Sequence, residues 1–365
     1  MKEEELHSRF HTQMLLPHFG IEAQQKLKHS KILIIGAGGL GCPCVQYLVG
    51  AGAGVIGICD GDAVEISNLH RQILFTANDA GKKKVDVIKS GMESVFPGIE
   101  IKTYDTFLDN RLAVDIFPLY DIVIDCTDDI NTRYMISDAC VLLQKPLVYG
   151  AVFQYEGQVA VLNTDDDAIS LRDIFDETDR GAILSCNESG ALGAVTGMVG
   201  TMQALEAIKA VTDIPGLLKN EILFCNFLTY NHYKATVSKA SRNTVPKTIV
   251  DFLNINYKQV CMRSESGSNE LSQQDFLEKI RLENVQVIDV RDKNEFPFID
   301  FFEYENIPLN DLLRHPEKID SSKTVLLFCH AGVRSQVALD FLIEECKLTN
   351  VFHLKGGILK WNNHE

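Results

Sequence analysis

The sequence predicts an α/β protein with two domains, the first built on a mostly parallel sheet that antiparallel strands extend, the second smaller. Three observations support this prediction. Short apolar runs alternate with helical patterns from residue 31 to residue 150, as they do in βαβ units. Beyond residue 150 the pattern changes to closely spaced β-like stretches such as QVAVLN, and a second alternating series begins near residue 268.

The elements of the first series follow from apolar runs and helical periodicity. Strands are predicted over 31–36, 54–59, 99–104, 121–126 and 146–150, and helices over 39–52, 82–95, 131–143 and 191–211. In the second series VQVIDVRD, KTVLLFCH and VFHLKGG are predicted strands, and LNDLL and RSQVALDFLIEE are predicted helices. Polar residues accumulate from about 238 to 270. We therefore expect a first domain over 1–240, a linker over 241–267 and a second domain over 268–365.

Composition and charge exclude several classes of protein. The 365 residues carry a formal net charge of -15, which repels a phosphate backbone and argues against nucleic acid as a partner. No apolar run approaches the roughly 20 residues of a membrane span, and the acidic start MKEEELHSRF does not fit a secretory signal. Ten cysteines lie scattered singly, which suits a reducing compartment. We expect a cytoplasmic protein without a membrane partner.

A glycine-rich motif predicts a nucleotide site in the first domain. Gly36, Gly38, Gly39 and Gly41 form a G-x-G-x-x-G pattern between a predicted strand and a predicted helix, where backbone N–H groups can face phosphate. Asp60 closes the next strand, where an acid typically binds ribose hydroxyls. This pattern alone indicates a nucleotide or dinucleotide. A glycine turn needed only for strand-to-helix packing is the structural alternative.

Charged residues after this motif favour ATP over a nicotinamide cofactor. Adenylation needs cations that hold a triphosphate and an acid that holds Mg²⁺ while pyrophosphate leaves. Arg71 and Lys84 supply the charge, and Asp128 supplies the metal ligand. Hydride transfer by a Rossmann oxidoreductase would need none of them. Each residue taken singly can also be a solvated surface group or, for Asp128, a strand-end cap.

The first domain resembles the MoeB/ThiF family, relatives of ubiquitin-activating enzymes, whose fold is a Rossmann-like ubiquitin-activating-type domain. The resemblance rests on GAGGLGCP, on D-x-D-x-V-E-x-S-N-L-x-R-Q at 60–72, on G-K-x-K at 81–84 and on D-C-T-D-D at 125–129. It implies ATP bound by the glycine loop, Asp60 on the ribose, and Asp128 near Mg²⁺. It also implies a phosphate environment made by Asn68, Arg71, Gln72 and Lys84. Family members work as homodimers, so we expect a homodimer.

A second family signature, C-x-x-x-G-x-L-G, is matched by 186–193 before a long helical pattern. The resemblance implies that Cys186 can act covalently toward the activated partner, and a packing role for this cysteine stands as the alternative. Two departures matter. The cysteines cannot form the two C-x-x-C pairs of the family's zinc site, so we predict no zinc. Thr12 stands where many members have an arginine that reaches the partner subunit's phosphates, so Arg9 or a lysine would have to substitute, or adenylation is weakened.

Residues 329–335, CHAGVRS, predict an anion-stabilising loop between a strand and a helix in the second domain. Such a loop suits a thiolate or a persulfide on Cys329, with Arg334 as its sixth residue. The spacing alone also fits a phosphatase. The loop resembles that of rhodanese domains, together with V-I-D-V-R at 287–291, N-I-P-L at 306–309 and L-K-G-G-I at 354–358. The family's G-H-I-x-G-A segment is missing, and an inactive docking domain is the alternative.

The two resemblances together imply one reaction sequence. ATP would adenylate the C-terminal glycine of a small ubiquitin-like sulfur carrier of the MoaD/ThiS type, and a Cys329 persulfide would then supply sulfur for a thiocarboxylate. A cysteine desulfurase is a candidate sulfur donor. A carrier-binding or adenylating protein without sulfur transfer is the alternative, and an oxidoreductase is the weaker one. The sequence does not say which carrier or pathway is served: molybdopterin, thiamine or tRNA thiolation.

Overall fold

A computed structural model describes residues 3–96, 98–165, 167–175, 190, 192–239, 245–257, 269–282, 284–293, 295, 298–330 and 332–358. These residues divide into two compact units, 3–257 and 269–358. Cys186, predicted to act in catalysis, lies outside the described residues. No helix in the described part of the chain is long and apolar enough to cross a membrane.

The first unit is built on a sheet of eight strands within the described residues, in the order β3-β2-β1-β4-β5-β6-β7-β8. The strands are β1 Lys31–Ile35, β2 Val55–Cys59, β3 Glu100–Tyr104, β4 Ile122–Asp125, β5 Leu147–Phe153, β6 Glu156–Leu162, β7 Glu221–Asn226 and β8 Asn231–Thr236. The strands from β3 to β5 pair in parallel, and those from β5 to β8 pair antiparallel. This confirms the predicted parallel sheet with its antiparallel extension.

Helices cover both faces of this sheet. They are α1 Glu3–Met14, α2 Gly20–His29, α3 Gly41–Ala51, α4 Lys84–Val95, α5 Asn110–Ile116, α6 Ile130–Leu142, α7 Leu171–Ile174, α8 Gly193–Thr212 and α9 Ile249–Asn254. Alternate side chains of β1 point to opposite faces. Ile32 and Ile34 pack in one core with α3, α4 and α8, while Leu33 and Ile35 pack in the other with α5 and α6. Burial on both sides explains the unbroken apolar run KILII.

The strand order creates a switch point at the carboxyl ends of β1 and β4. From β1 the chain first adds β2 and β3 on one side, then returns to add β4 and β5 on the other. The connections therefore leave these two neighbouring strands in opposite directions, which opens a crevice between them. Ligands of open α/β sheets bind in this crevice. The glycine loop follows β1 and Asp128 follows β4, so the fold brings two predicted parts of the nucleotide site to one edge.

Residues 245–257, which we expected within a linker, pack on the first unit. Phe252 of α9 is fully buried, and the Asn110 side-chain amide donates hydrogen bonds to the carbonyls of Phe252 at 2.6 Å and Ile255 at 3.0 Å. The Tyr257 hydroxyl donates to buried Asp138 at 2.6 Å. The amino-acid composition of this segment does not indicate these long-range contacts. The other boundaries of the two domains stay predictions.

The second unit has a sheet of five parallel strands within its described residues, in the order β11-β10-β12-β13-β9. Its strands are β9 Glu270–Leu271, β10 Val285–Asp289, β11 Glu305–Asn306, β12 Thr324–Phe328 and β13 Val351–Leu354. Its helices are α10 Gln273–Ile280, α11 Leu309–Arg314 and α12 Val333–Glu344. Leu327 packs with Leu312 and Leu342 in one core, and Phe328 packs with Phe276 in the other. The predicted α/β series of this region is confirmed.

Candidate functional site

The glycine loop connects β1 to α3, and two of its glycines are required by close backbone packing. Gly36 has a φ of +96°, and a Cβ built there would lie 2.7 Å from the carbonyl oxygen of Cys126. A Cβ on Gly41 would lie 2.1 Å from the carbonyl oxygen of Gly36. Both glycines therefore allow the loop to turn tightly against the end of β4. Strand-to-helix packing, the structural alternative for the glycine motif, is therefore enough to explain Gly36 and Gly41.

Gly38 differs from its neighbours because protein packing does not require it. A Cβ there would meet only the Gln72 side chain, at 3.8 Å, which is an ordinary contact distance. A Cβ on Gly39 would lie 3.0 Å from Thr196 Oγ1 on α8. The open space beside Gly38 would let a ligand approach the backbone, as a phosphate does in such loops. A bound nucleotide would explain why position 38 is a glycine, whereas packing within the protein does not.

Gln72 lies beside this open space and is incompletely satisfied. Its side chain is 4% exposed, and its buried Oε1 atom has no hydrogen-bond partner among the described residues. Buried polar atoms of this kind normally have a partner, which can be a ligand or an ordered water. A nucleotide hydroxyl or a metal-bound water could supply the missing hydrogen. The Gln72 amide therefore fits the predicted ATP site.

Asp60 joins the glycine loop to the turn after β2. Its carboxylate accepts the Ala37 N–H at 2.7 Å on Oδ2 and the Asp62 N–H at 2.8 Å on Oδ1. Burial raises the pKa of the Asp60 carboxyl, while Lys84 and the two N–H donors oppose that shift. Each carboxylate oxygen can accept more than one hydrogen bond, so ribose hydroxyls can still bind. The predicted ribose role is therefore compatible with a second role in fixing the loop.

Lys84 opens α4 and is held by a partner that the sequence did not single out. The lysine is only 4% exposed, and its Nζ donates to Asp62 Oδ2 at 2.8 Å. The Lys84 N–H also donates to the Asp62 carbonyl oxygen at 3.2 Å. Asp62 is itself exposed, so an arriving phosphate could exchange with its carboxylate as the partner of Nζ. The Lys84 ammonium group is thus buried, and the Asp62 carboxylate both holds it in position and neutralises its charge.

The turn that carries Asn68 and Arg71 packs against the start of α8. A Cβ on Gly193 would lie 2.2 Å from the carbonyl oxygen of His70, so the helix and the turn are in backbone contact. The Asn68 side-chain amide donates to Glu65 Oε2 at 3.3 Å, and Arg71 Nη1 lies 3.3 Å from His70 Nε2. The backbone of this turn is therefore in contact with α8 at His70 and Arg71. The predicted phosphate contacts of Asn68 and Arg71 stay predictions.

Asp128 is presented by a tightly hydrogen-bonded turn after β4. Buried Asp125 accepts the Thr127 N–H at 2.9 Å and the Thr127 hydroxyl at 2.6 Å, and Arg133 donates to the Thr127 carbonyl oxygen. Burial raises the pKa of Asp125, a shift that the Arg133 charge opposes. Asp128 itself is exposed at the switch-point edge. Because Mg²⁺ is commonly bound by one or two carboxylates plus substrate phosphates, a single aspartate here suits the predicted metal.

Two sequence predictions concern residues around this site: that Arg9 or a lysine substitutes for the arginine replaced by Thr12, and that there is no zinc site. The Arg9 guanidinium lies 3.7 Å from the centre of the Phe96 ring, so this side chain packs on its own unit. Cys225 is half-buried on β7, whereas Cys186 is outside the described residues. The covalent role of Cys186 and the lack of a zinc site stay predictions.

In the second unit, Cys329 lies at the centre of a hydrogen-bonding loop between β12 and α12. Its buried Sγ accepts the N–H groups of Gly332 at 3.1 Å and Ser335 at 3.4 Å, and the Ser335 hydroxyl lies 3.5 Å away. Gly332 has a φ of +93°. A Cβ on Gly357 would lie 2.5 Å from the Cys329 carbonyl oxygen. These donors can stabilise an anion on the sulfur, and the L-K-G-G segment packs directly on the loop.

Arg334 is paired with an acidic side chain of the same unit. Two of its N–H groups donate to the two Glu295 carboxylate oxygens at 2.7 and 2.6 Å. Burial acts against both charges, but the mutual attraction prevails, so the pKa of Glu295 is lowered and that of Arg334 is raised. A phosphatase would use these N–H groups for phosphate. An arriving anion would have to exchange with the Glu295 carboxylate as the partner of these N–H groups.

The D-V-R motif has a structural role. Asp289 and Arg291 form a buried bidentate pair, and the Asn306 amide donates to the carbonyl oxygens of both residues at 3.1 and 2.9 Å. These contacts fix the strand ends beside the Cys329 loop. The sequence did not predict the pairing of Asp62 with Lys84 or of Glu295 with Arg334, because both pairs join distant segments.

Comparisons with known proteins agree with this geometry. The ThiF family model matches residues 10–246, and the rhodanese-like domain model matches residues 272–364. Adenylyltransferase and sulfurtransferase MOCS3 of Drosophila yakuba is 33% identical, covering 98% of this chain and 83% of that protein. Adenylyltransferase and sulfurtransferase uba4 of Ogataea parapolymorpha is 32% identical, covering 97% and 95%. The probable adenylyltransferase/sulfurtransferase MoeZ of Mycobacterium tuberculosis is 32% identical, covering 97% and 92%.

Among solved structures, Escherichia coli MccB with ATP superposes with a TM-score of 0.59 at 20% identity, covering 67% of this chain and 74% of that one. This likeness supports the fold of the first unit. The family matches and the full-length relatives confirm the resemblance read from the sequence motifs. The chain therefore belongs to the ThiF family, and a rhodanese-like domain follows its ThiF domain.

Proposed function

We propose that this protein adenylates the C-terminal glycine of a small ubiquitin-like sulfur-carrier protein with ATP and then converts the adenylate to a thiocarboxylate. The observation that carries the proposal is the presence, in one chain, of the switch-point site around Lys84 and Asp60 and of the sulfur loop around Cys329. The printed names of full-length relatives, which join adenylyltransferase to sulfurtransferase, support this combination.

In the first step, the carrier's terminal carboxylate attacks the α-phosphate of ATP and pyrophosphate leaves. The glycine loop would hold phosphate, and Asp60 would hold the ribose. Lys84 and Arg71 would neutralise charge that builds up as pyrophosphate departs, and buried Lys84 is already oriented for this by Asp62. Mg²⁺ bound through Asp128 would add further positive charge at the leaving group. The products are the acyl-adenylate and pyrophosphate.

In the second step, the terminal sulfur of a Cys329 persulfide attacks the acyl carbon of the adenylate and AMP leaves. The product is an acyl disulfide, in which the persulfide sulfur–sulfur bond is intact. A second thiolate, for which Cys186 is the candidate, then cleaves that bond, releases the carrier thiocarboxylate and forms a disulfide with Cys329. An external thiol reduces this disulfide. The N–H groups of Gly332 and Ser335, which face the Cys329 sulfur, would stabilise the negative charge of the persulfide before it attacks.

Partners follow from this chemistry. The acceptor is a MoaD/ThiS-type carrier with a free C-terminal glycine, and a cysteine desulfurase or another persulfide-forming enzyme supplies sulfur to Cys329. We propose a cytoplasmic homodimer. The thiocarboxylate would serve molybdopterin, thiamine or tRNA thiolation.

The test is to incubate the full chain with ATP, Mg²⁺, a persulfide donor and candidate carriers, and to weigh each carrier by mass spectrometry. The proposal expects the mass increase of sulfur for oxygen on a carrier that ends in Gly-Gly. A matched control carrier with one alanine added after the last glycine should not react. Pyrophosphate exchange with the first carrier but no mass increase would support adenylation without sulfur transfer. No exchange with any carrier, or nicotinamide binding at the glycine loop, would overturn the proposal.

A further inference from the structure

A buried histidine lies behind the sulfur loop and has no role in the function proposed above. His353 is on β13, next to β12, and is 2% exposed. Its Nδ1 lies 3.3 Å from the Ser335 hydroxyl oxygen. Ser335 Oγ in turn lies 3.5 Å from Cys329 Sγ and 3.0 Å from the Gly332 carbonyl oxygen. The imidazole and the sulfur are therefore joined through one serine hydroxyl.

The other ring nitrogen indicates which tautomer is present. His353 Nε2 is buried and has no hydrogen-bond partner among the described residues. A proton on Nε2 would be an unsatisfied buried N–H, which folded proteins rarely contain, whereas an unsatisfied acceptor is less unusual. The proton therefore belongs on Nδ1, where the Ser335 hydroxyl oxygen and the Gly332 carbonyl oxygen can accept it.

This tautomer decides which acceptors compete for the single hydroxyl proton of Ser335. If Nδ1 carried no proton, the imidazole at 3.3 Å would compete with the sulfur for the hydroxyl proton, in addition to the Gly332 carbonyl oxygen at 3.0 Å. With the proton on Nδ1, the imidazole donates instead of accepting. The Gly332 carbonyl oxygen, which also accepts the Gln336 N–H at 3.1 Å, does not depend on the serine proton. The Ser335 hydroxyl then has two acceptors, the Gly332 carbonyl oxygen at 3.0 Å and Cys329 Sγ at 3.5 Å, and a negative charge on the sulfur favours the second.

We propose that His353 is a positioning residue for sulfur transfer, because its Nδ1–H orients the Ser335 hydroxyl to donate to anionic sulfur on Cys329. The inference rests on the proposed sulfur-carrying function of Cys329. The Ser335 hydroxyl, oriented by His353 on β13, is then a third donor to the sulfur beside the two backbone N–H groups that already face it. Hydrogen bonds to a charged acceptor are stronger than neutral ones, so the donor gains strength when the sulfur is ionised.

Burial keeps the His353 imidazole neutral, and the charges around it partly cancel one another. Burial lowers the pKa of His353; Glu270, which pairs with it in register on β9, acts in the opposite direction, and Lys355 adds to the lowering. Lys355 Nζ donates to Glu270 Oε2 at 2.8 Å, so these two charges partly cancel. At the sulfur loop, Arg334 and Glu295 neutralise each other in the same way. A neutral Nδ1–H donor therefore persists through the neutral pH range.

The first test measures the tautomer directly in the unmodified full-length protein. Nitrogen-15 labelling of histidine and two-bond proton–nitrogen spectra distinguish a protonated Nδ1 from a protonated Nε2. The inference expects the buried histidine, assigned by its loss in His353→Asn, to carry its proton on Nδ1. A proton on Nε2 would overturn the inference whatever the variants do.

The second test measures how readily Cys329 ionises. The rate of alkylation by iodoacetamide is followed against pH, with the Cys329 peptide quantified by mass spectrometry because the chain has ten cysteines. His353→Leu and Ser335→Ala should each slow alkylation at neutral pH by about tenfold and move the pH midpoint upward. The double variant should be no slower than either single variant. His353→Asn, which can place an amide donor near the Nδ1 position, should recover most of the rate.

Equal pH midpoints in wild type and Ser335→Ala, or additive effects in the double variant, would overturn the inference. Thermal unfolding of each variant identifies loss of fold, and the tautomer spectrum needs no variant that must remain active. Neither test uses ATP or a carrier. A failed carrier assay with the expected tautomer and pH shift would therefore refute the proposed function alone, and the reverse outcome would refute only the role of His353.

Discussion

The substitution Gly38→Ala separates ligand binding from folding at the glycine loop. The added Cβ would lie 3.8 Å from Gln72 Nε2 and meet no other atom within 4 Å, and Gly38 is not among the glycines with positive φ. Folding should therefore be unharmed, and the lower entropy of the unfolded chain should change the free energy of unfolding by no more than about 1 kcal/mol. The methyl group would instead occupy the space in which we expect phosphate.

We expect Gly38→Ala to weaken the binding of ATP. Loss of one charge-assisted hydrogen bond between backbone and phosphate weakens binding by about 1.5–3 kcal/mol, which is roughly a 10- to 100-fold rise in the KM for ATP. The assay is carrier-dependent ATP–pyrophosphate exchange over a range of ATP concentrations. Chemical denaturation of the same samples measures the free energy of unfolding. Both measurements are needed, because a raised KM for ATP with an unchanged free energy of unfolding indicates that Gly38 serves binding and not packing.

Two other glycines provide matched controls. A Cβ on Gly41 would lie 2.1 Å from a backbone oxygen, so Gly41→Ala should destabilise the fold by about 1–3 kcal/mol as well as impair exchange. Gly50, on the same helix, has no atom within 4 Å of its added Cβ, so Gly50→Ala should leave the KM for ATP unchanged. A Gly38→Ala protein with wild-type KM for ATP would refute the assignment of this loop to phosphate. So would a loss of stability as large as that of Gly41→Ala.

Three further predictions follow from the two sites. Asp128→Ala should abolish pyrophosphate exchange, because the Mg²⁺ ligand is lost; exchange near the wild-type rate would remove Asp128 from the site. Arg334→Ala should slow sulfur transfer, because it leaves the Glu295 carboxylate uncompensated beside an anionic sulfur, and adding Glu295→Gln should restore part of the rate. If the double variant were no faster than Arg334→Ala, the pair would not act through charge. Metal analysis of the purified protein should find no stoichiometric zinc, whereas one zinc per chain would show that ligands were missed.

The sequence predicted the elements that depend on local pattern. The strands before and after the glycine loop were expected at 31–36 and 54–59 and are found at Lys31–Ile35 and Val55–Cys59. Strands buried on both faces leave continuous apolar runs, and glycines mark where the next helix starts, so both signals are contained within a few residues. The motif residues Gly36, Asp60 and Lys84 were singled out from equally short stretches of sequence, and their roles stay predictions.

What the sequence did not predict depends on pairing between distant segments. Composition assigned 245–257 to a linker, yet Phe252 is buried against α5 and α6 of the first unit. The Glu295 carboxylate, 39 residues away, binds the Arg334 guanidinium, and the spacing of the loop does not indicate this pair. His353 looked like part of an ordinary strand, and only the pairing of β13 with β12 brings it to the sulfur loop. A single sequence carries no signal for such pairs.

The most direct test of the central claim is to measure both reactions on Cys329→Ala. Cys329 lies in a separate unit with its own sheet and its own N–H donors, so removing its sulfur should not disturb the site around Lys84 and Asp60. The measurement compares carrier-dependent pyrophosphate exchange with the sulfur-for-oxygen mass increase on the same carrier, using a persulfide donor. We predict exchange close to the wild-type rate and no thiocarboxylate. Thiocarboxylate formed at an unchanged rate would contradict this prediction, because the rhodanese-like domain would then not be the sulfur carrier.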